Sequence, residues 1–333
     1  RSTPLYSSAA SDVYKRQKGE YLTERLTEES AKFLESRDQS KPFLLYLSYY
    51  NIHTPIQPYR KRIDHFKAKA EKTFTGPTPT QPDHDGKTRM RQDNPALASM
   101  VAAVDDSVGA VMEQLKKMGI HDETLVIYMG DNGYMFGEHG LIDKRVAYET
   151  SSRVPMLMQC PELFQGGSVV EQVVANIDIA PTVFEAAGIK TPSYMDGQSF
   201  IPLGQGKAIP WRDYFLYVYY WEKNFPQSPT VFALRGDRYK YITYYGLWDT
   251  DELYDILSDP GETKNLITDS KLKPVVREME DKLYGMLAES GGMFIPLNQP
   301  RGNSQNKRLK SRSKPGAFPG QLVVDKPINR GAR

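Results

Sequence analysis

Two spacings of apolar positions dominate the chain before about residue 210. In "NPALASMVAAVDDSVGAVMEQLKKMG", Leu97, Met100, Val101, Val104, Val108, Val111, Met112 and Leu115 recur at intervals of three and four. That period predicts an amphipathic helix running up to Gly119. Asn94 offers an N-cap acceptor, and Pro95, which has no N–H to leave unsatisfied, suits the first helical position. "TEESAKFLESR" predicts a further helix over residues 27–37, with Thr27 as N-cap and acids in the first turn, where they complement the helix dipole. Two apolar runs, "KPFLLYLSYY" and "TLVIYM", are too short for core helices and predict buried strands. The first opens onto "NIHTPIQP", whose prolines end regular structure and place His53 just past a strand's C-terminal end. Residues 66–95 are polar and rich in Lys, Thr, Pro and Asp, which predicts an exposed loop or insertion. Helix followed by strand, with near-continuous apolar strands, predicts a mainly parallel sheet between helices.

From about Pro210 the pattern turns aromatic. "DYFLYVYYWE", "TVFALRG" and "YKYITYYG", separated by turn residues, predict a small antiparallel sheet. "KPVVREMEDKLYGMLAESGG" predicts a closing helix with Val275, Val276, Met279, Leu283, Met286 and Leu287 on one face and glycines at its end. The expected organisation is an α/β region over 18–209 and a smaller α+β region over 210–296. Residues 1–17 lack a starting Met, a hydrophobic period and an apolar signal core, and read as an adapter-like, non-native segment, so that the true N-terminal portion is expected to be missing. Residues 297–333 read as a loosely docked basic extension.

At 333 residues and 39% hydrophobic content, the chain can bury a substantial core. No stretch reaches the roughly 18 consecutive apolar residues of a membrane span. The net charge of +2 hides an asymmetry, because the segment from Arg301 onward holds nine Lys/Arg and one Asp, leaving 34 basic and 40 acidic groups before it. No recognition motif accompanies the basic tail, so nucleic acid is not an expected partner. The single Cys, Cys160, excludes an internal disulfide framework, and its apolar setting predicts an inert thiol.

Chemistry concentrates in "GDNGYMFGEHGLIDKR", residues 130–145, directly after the strand "TLVIYM". In open α/β sheets, ligands gather at the carboxyl ends of strands. Asp131 and Asn132 stand there as adjacent oxygen donors suited to a hard cation, which needs further carboxylates from elsewhere. Lys144 can place a point charge on a phosphate- or sulfate-like oxygen. Each has a plainer reading: Asn-Gly is a common turn dipeptide, and His53 alone is more often a structural histidine. His139 either binds a sugar or holds its loop by hydrogen bonding. Arg145, Glu149 and Arg153 fit a network that fixes the Lys144 loop, Asp105 and Asp106 an anchor for a neighbouring loop, and Asp178 a capping acid.

Taken together, "PFLLYLSYYNIHTPIQP", "MVAAVDDSVGAVMEQLKKMGIHDETLVIYMGDNG", "GEHGLIDKRVAYETSSRVPMLM", "NIDIAPTVFEAAGI", "MDGQSFIPL" and "DELYDILSDPGETKNL" resemble the blocks of the sulfatases, members of the alkaline-phosphatase-like superfamily, in family order. The resemblance implies the alkaline-phosphatase-like fold, a calcium ion with Asp131 and Asn132 as its late ligand pair, and His53 and Lys144 as contacts to the sulfate ester. A formylglycine nucleophile, made from Cys or Ser in a C/S-x-P/A-x-R motif, and an early Asp-Asp pair are expected in the missing N-terminal part. The fragment as it stands is therefore expected to be inactive. The likeness is nearest to bacterial glycan sulfatases such as N-acetylglucosamine-6-sulfatases, which implies a sulfated carbohydrate substrate, a periplasmic or extracellular location, and Arg235 as a contact to an acidic sugar. A phosphonate or phosphate esterase of the same superfamily, and a catalytically inactive carbohydrate-binding homologue, are the alternatives.

Overall fold

The computed structural model describes residues 19–293 apart from 85, 223, 224, 226 and 246–250, so the adapter-like segment and the basic extension lie outside the described residues. The chain divides into two compact units. The first takes residues up to 128 with 136–142 and 157–166; the second takes 129–135, 143–156 and everything from 167.

In the first unit, α1 (Leu22–Ser36) and α2 (Ile63–Thr73) pack on α3 (Pro95–Lys117). The apolar stripe on α3 is buried in part, since Val101 is exposed and Val108, Val111 and Met112 are half-buried. Leu97, Met100, Ala103, Val104 and Leu115 are buried, and the Asn94 side chain accepts from the amides of Ala96 and Leu97 ahead of Pro95. By length and composition α3 alone among the described helices is apolar enough to cross a membrane, and its buried stripe is also that of a core helix. Helix α1 begins at Leu22, before the expected cap. Thr27 therefore lies inside the helix, its hydroxyl donating to Thr23 O at 2.8 Å.

Residues 66–95 are not one loop. They contain most of α2 and a hairpin of β1 (Thr80–Asp83) and β2 (Gly86–Arg89), antiparallel with Thr80 opposite Arg89. Helix α2 buries none of its residues, so no apolar stripe marked it, and the hairpin strands "TQPD" and "GKTR" are polar. "TLVIYM" becomes β3 (Val126–Met129). The short β4 (Met135–Phe136) and β5 (Ile142–Asp143) pair with each other, and β6 (Met156–Gln159) pairs with β3. The run 42–50 joins no ladder among the described residues, although its exposure alternates along the chain as a strand's does.

The second unit contains α4 (Glu149–Ser152), α5 (Ile179–Ala186) and α6 (Ile201–Gly204), then β7 (Phe215–Tyr219), β8 (Thr230–Arg235), β9 (Tyr239–Tyr245), β10 (Glu252–Asp255) and α7 (Lys273–Ser290). The four strands form one antiparallel sheet in the order β10-β9-β8-β7. The period of two sends alternate residues to opposite faces. Phe232, Leu234, Tyr241 and Leu253 meet Met279, Leu283 and Leu287 of α7, whereas Val231, Ala233, Ile242 and Tyr254 meet Met135, Ala147 and Tyr148. Burial on both faces explains why β8 is a continuous apolar run. Gly291, at φ 72°, closes α7 in the left-handed conformation that a glycine adopts without a Cβ clash.

Asp178 stands at the N-cap position of α5, but its side chain makes no cap bond to that helix. It is fully buried, and its carboxylate accepts from the amides of Ala175 and Gln198 while pairing with the guanidinium of Arg212. Cys160 is buried, and burial pushes its thiol pKa up, in keeping with an inert role. Asp106 anchors the start of α2 through a two-point pair with Arg62.

Candidate functional site

Strand β3 hands directly to the loop 130–134. Asp131 is exposed and Asn132 half-buried. The Asn132 amide donates to its neighbour's Oδ1 at 2.9 Å, and its side-chain nitrogen donates to Gly133 O at 2.7 Å, which fixes the orientation of the carboxamide. Gly133 is the pivot. Its amide donates to Ser151 O at 2.8 Å, and a Cβ at this position would stand 2.0 Å from Thr150 O, so only glycine permits the approach.

Ser151, buried in α4, completes a staple. Its hydroxyl donates to Lys144 O at 2.5 Å. Within the second unit, the loop carrying Asp131 and Asn132 and the segment carrying Lys144 are thus joined through one serine. Lys144 is half-buried, and three residues later the chain enters the core beneath the sheet through Ala147 and Tyr148. Arg145 pairs with Asp143 and lies over the Phe225 ring.

Glu149 joins a buried charge network. It accepts from Lys240 Nζ at 2.9 Å and pairs with Arg235 at 3.4 Å, while Lys240 also reaches Glu262 at 2.8 Å. Desolvation opposes ionisation of both acids. Two cations outweigh it for Glu149, whose pKa falls, whereas burial dominates for Glu262, whose pKa rises. Arg235 is consequently engaged with Glu149 and with Gly236 O.

His53 and His139 belong to the first unit. His53 is exposed, with Nδ1 2.8 Å from Thr54 O. A carbonyl only accepts, so Nδ1 carries the hydrogen in this contact. The loop is held nearby: Asn51 donates to Met100 O at 3.0 Å, and Tyr59 N donates to Ser99 Oγ. His139 is buried, its Nδ1 2.9 Å from Asp83 Oδ2 and its amide donating to Thr88 Oγ1 at 2.8 Å. Sequence reasoning missed Ser151, whose hydroxyl meets a carbonyl of another segment, Asp83, which meets His139 of a separate turn, and His84, which meets its neighbour Asp83; the serine run in "YETSSR" was the one visible signal.

Asp131 and Asn132 fit a hard divalent cation in donor chemistry, because both present oxygens, and they supply part of the six or more that calcium takes. An α/β chain that sets such a pair after a strand, and a lysine on the segment stapled to it, has the makings of a metal-assisted hydrolase of anionic esters. The chain belongs to the sulfatase family. Residues 2–189 match Sulfatase, and residues 137–289 match N-sulphoglucosamine sulphohydrolase, C-terminal. An N-acetylglucosamine-6-O-sulfatase of Bacteroides thetaiotaomicron is 35% identical over 172 residues, covering 50% of this chain and 30% of the relative. An arylsulfatase of Clostridium perfringens is 26% identical over 289 residues, covering 79% of this chain and 59% of the relative. The chain thus spans less than two thirds of either. A solved structure of a protein in complex with its substrate D-glucosamine-2-N,6-O-disulfate superposes with a TM-score of 0.70 at 22% identity, covering 82% of this chain and 70% of that one, a likeness of fold. The expected alkaline-phosphatase-like α/β class, with its C-terminal antiparallel sheet, stands.

Proposed function

We propose that the protein hydrolyses sulfate esters of sulfated sugars, acting in the periplasm or outside the cell. Support comes from family membership and from relatives named for glycan sulfatase activity, but the observation that carries the reading is the Gly133–Ser151–Lys144 staple. Asp131 and Asn132 would hold calcium, which takes further oxygen donors besides these two, and a formylglycine would supply the nucleophile. When bound, the cation supplies charge stabilisation to the sulfuryl oxygens.

Lys144 binds the same anion as a point charge, and its half-buried position strengthens that interaction relative to water. His53, carried by the first unit, is the candidate leaving-group acid: with Nδ1 holding its hydrogen on Thr54 O, the proton it gives comes from Nε2 of the imidazolium. Gly133 and Ser151 position rather than react. Within this reading His139 holds its loop through Asp83, and Arg235 orders the segment after Lys144 through Glu149.

The test uses a form of the protein that carries the formylglycine motif, assayed for sulfate release from 6-O-sulfated glucosamine. Asp131→Ala and Lys144→Ala should each reduce the rate by about 100-fold or more while leaving the circular dichroism spectrum unchanged. Near wild-type rates in both would refute the site, and faster turnover of a phosphonate monoester than of any sulfated sugar would favour phosphonate chemistry.

A further inference from the structure

A second cluster of ligating side chains lies wholly within the first unit, which does not contain the Asp131 loop. Asp83 ends β1, His84 opens the turn to β2, and His139 sits in the 138–140 turn between β4 and β5. His84 Nδ1 lies 2.8 Å from Asp83 Oδ1, and His139 Nδ1 lies 2.9 Å from Asp83 Oδ2. One ligand atom from each residue falls within 4.8 Å of the other two.

Bonds that use none of these ligand atoms hold the three residues in place. His139 N donates to Thr88 Oγ1 at 2.8 Å, and Arg89 N donates to Gly137 O at 2.9 Å. Gly140 lies so close to β2 that a Cβ would stand 3.2 Å from Lys87 O. Both histidines adopt positive φ, 47° at His84 and 52° at His139, a region that side-chain-bearing residues visit sparingly. The Asp83 and His139 side chains are 1% and 3% exposed, whereas that of His84 is 44% exposed. The cluster therefore has a buried floor and one solvent-facing ligand through which an ion can enter.

From this geometry we infer a transition-metal site, Asp83/His84/His139, selective for a zinc-like divalent ion. Two imidazoles and one carboxylate suit zinc, cobalt or nickel, whereas calcium and magnesium take oxygen donors. The site is thus chemically distinct from the oxygen pair at Asp131 and Asn132. Tetrahedral zinc sets its donors about 3.3 Å apart, given bonds of about 2.0–2.1 Å. The His84–Asp83 and His139–Asp83 separations are shorter, so binding zinc requires both histidines to draw back slightly from the carboxylate. Three protein ligands leave a position for water, and the ion would fasten the β1–β2 hairpin to the 138–140 turn.

The 333-residue chain, stripped with chelator and dialysed, is titrated with Co²⁺ followed by visible absorption, and separately loaded with Zn²⁺, gel-filtered and assayed for retained metal. The wild type should retain one equivalent of zinc and develop the ligand-field bands of low-coordinate cobalt. His84→Ala, which alters an exposed turn residue, should lose that equivalent and weaken Co²⁺ binding about tenfold or more. His121→Ala, a change to a histidine outside the cluster, should leave both readings unchanged. Because His139 is buried, His139→Gln reports on folding as well as binding, so His84→Ala is the deciding variant. Equal retention by wild type and His84→Ala, or none by the wild type, would overturn the site and leave Asp83 as a carboxylate shared by two histidines. Neither outcome depends on sulfatase activity, so this inference and the proposed function fail separately.

Discussion

At Gly133 a methyl group has nowhere to go, since its carbon would fall 2.0 Å from a backbone oxygen of α4. Gly133→Ala should therefore destabilise the protein by about 3 kcal/mol or more, measured by urea denaturation, because the loop or the helix must move. Ser151→Ala is the milder probe of the same staple. It removes the donor to Lys144 O and should cost about 1–3 kcal/mol. If the staple positions the lysine, the formylglycine-bearing form should also lose kcat, with rescue by Ser151→Thr. An unchanged kcat in Ser151→Ala would confine that residue to folding. Of these residues, Asp131, Asn132 and Lys144 were legible because charged and amide groups crowd a strand's end in one short motif. Ser151 was not, since nothing in a serine announces which distant carbonyl it will meet. Asp83 was hidden for the same reason, since His139 comes to it from a separate turn, and His84 with it, since it contacts that same carboxylate.

Elements were legible where burial is periodic. Helix α3 buries Leu97, Met100, Val104 and Leu115 of its expected stripe, with a cap and a proline marking its start, and α7 ends on the expected glycine. Helix α2 buries nothing and so left no stripe to read. The run 42–50 carried a strand's composition, but a strand also needs a neighbour, which local pattern does not specify. Two substitutions separate cap from core. Asn94→Ala removes the acceptor for two amides and should cost about 1 kcal/mol, whereas Leu283→Ala, opening a void between α7 and the sheet, should cost about 2–5 kcal/mol. Thermal or urea unfolding would rank them, and a reversed order would contradict the packing described for α7.

For the molecule as a whole, acid is the expected weakness. Asp93, gripped by Thr78, Arg91 and Arg89 against the cost of desolvation, is held down to about 2, below its ordinary 3.8. Glu24 is lowered chiefly by Lys61, and Asp255 chiefly by Arg238. A carboxyl whose pKa is depressed on folding stabilises the native state above its unfolded pKa, and that contribution disappears as pH falls through the folded value. Melting temperature should hold near pH 5–6 and drop between about pH 4 and pH 2, with Asp93→Asn flattening part of the decline. A melting curve that stayed level across that interval would show these pairs to be inconsequential. The same global view favours one part of the chain. Because Ala147 and Tyr148 are clamped beneath the four-stranded sheet, the backbone just ahead of them has little room to drift, and the search volume of the Lys144 ammonium is set by its own flexible stem. Replacing that stem with a shorter one should therefore leave the charge stranded short of its target, since the main chain behind it has no slack to give.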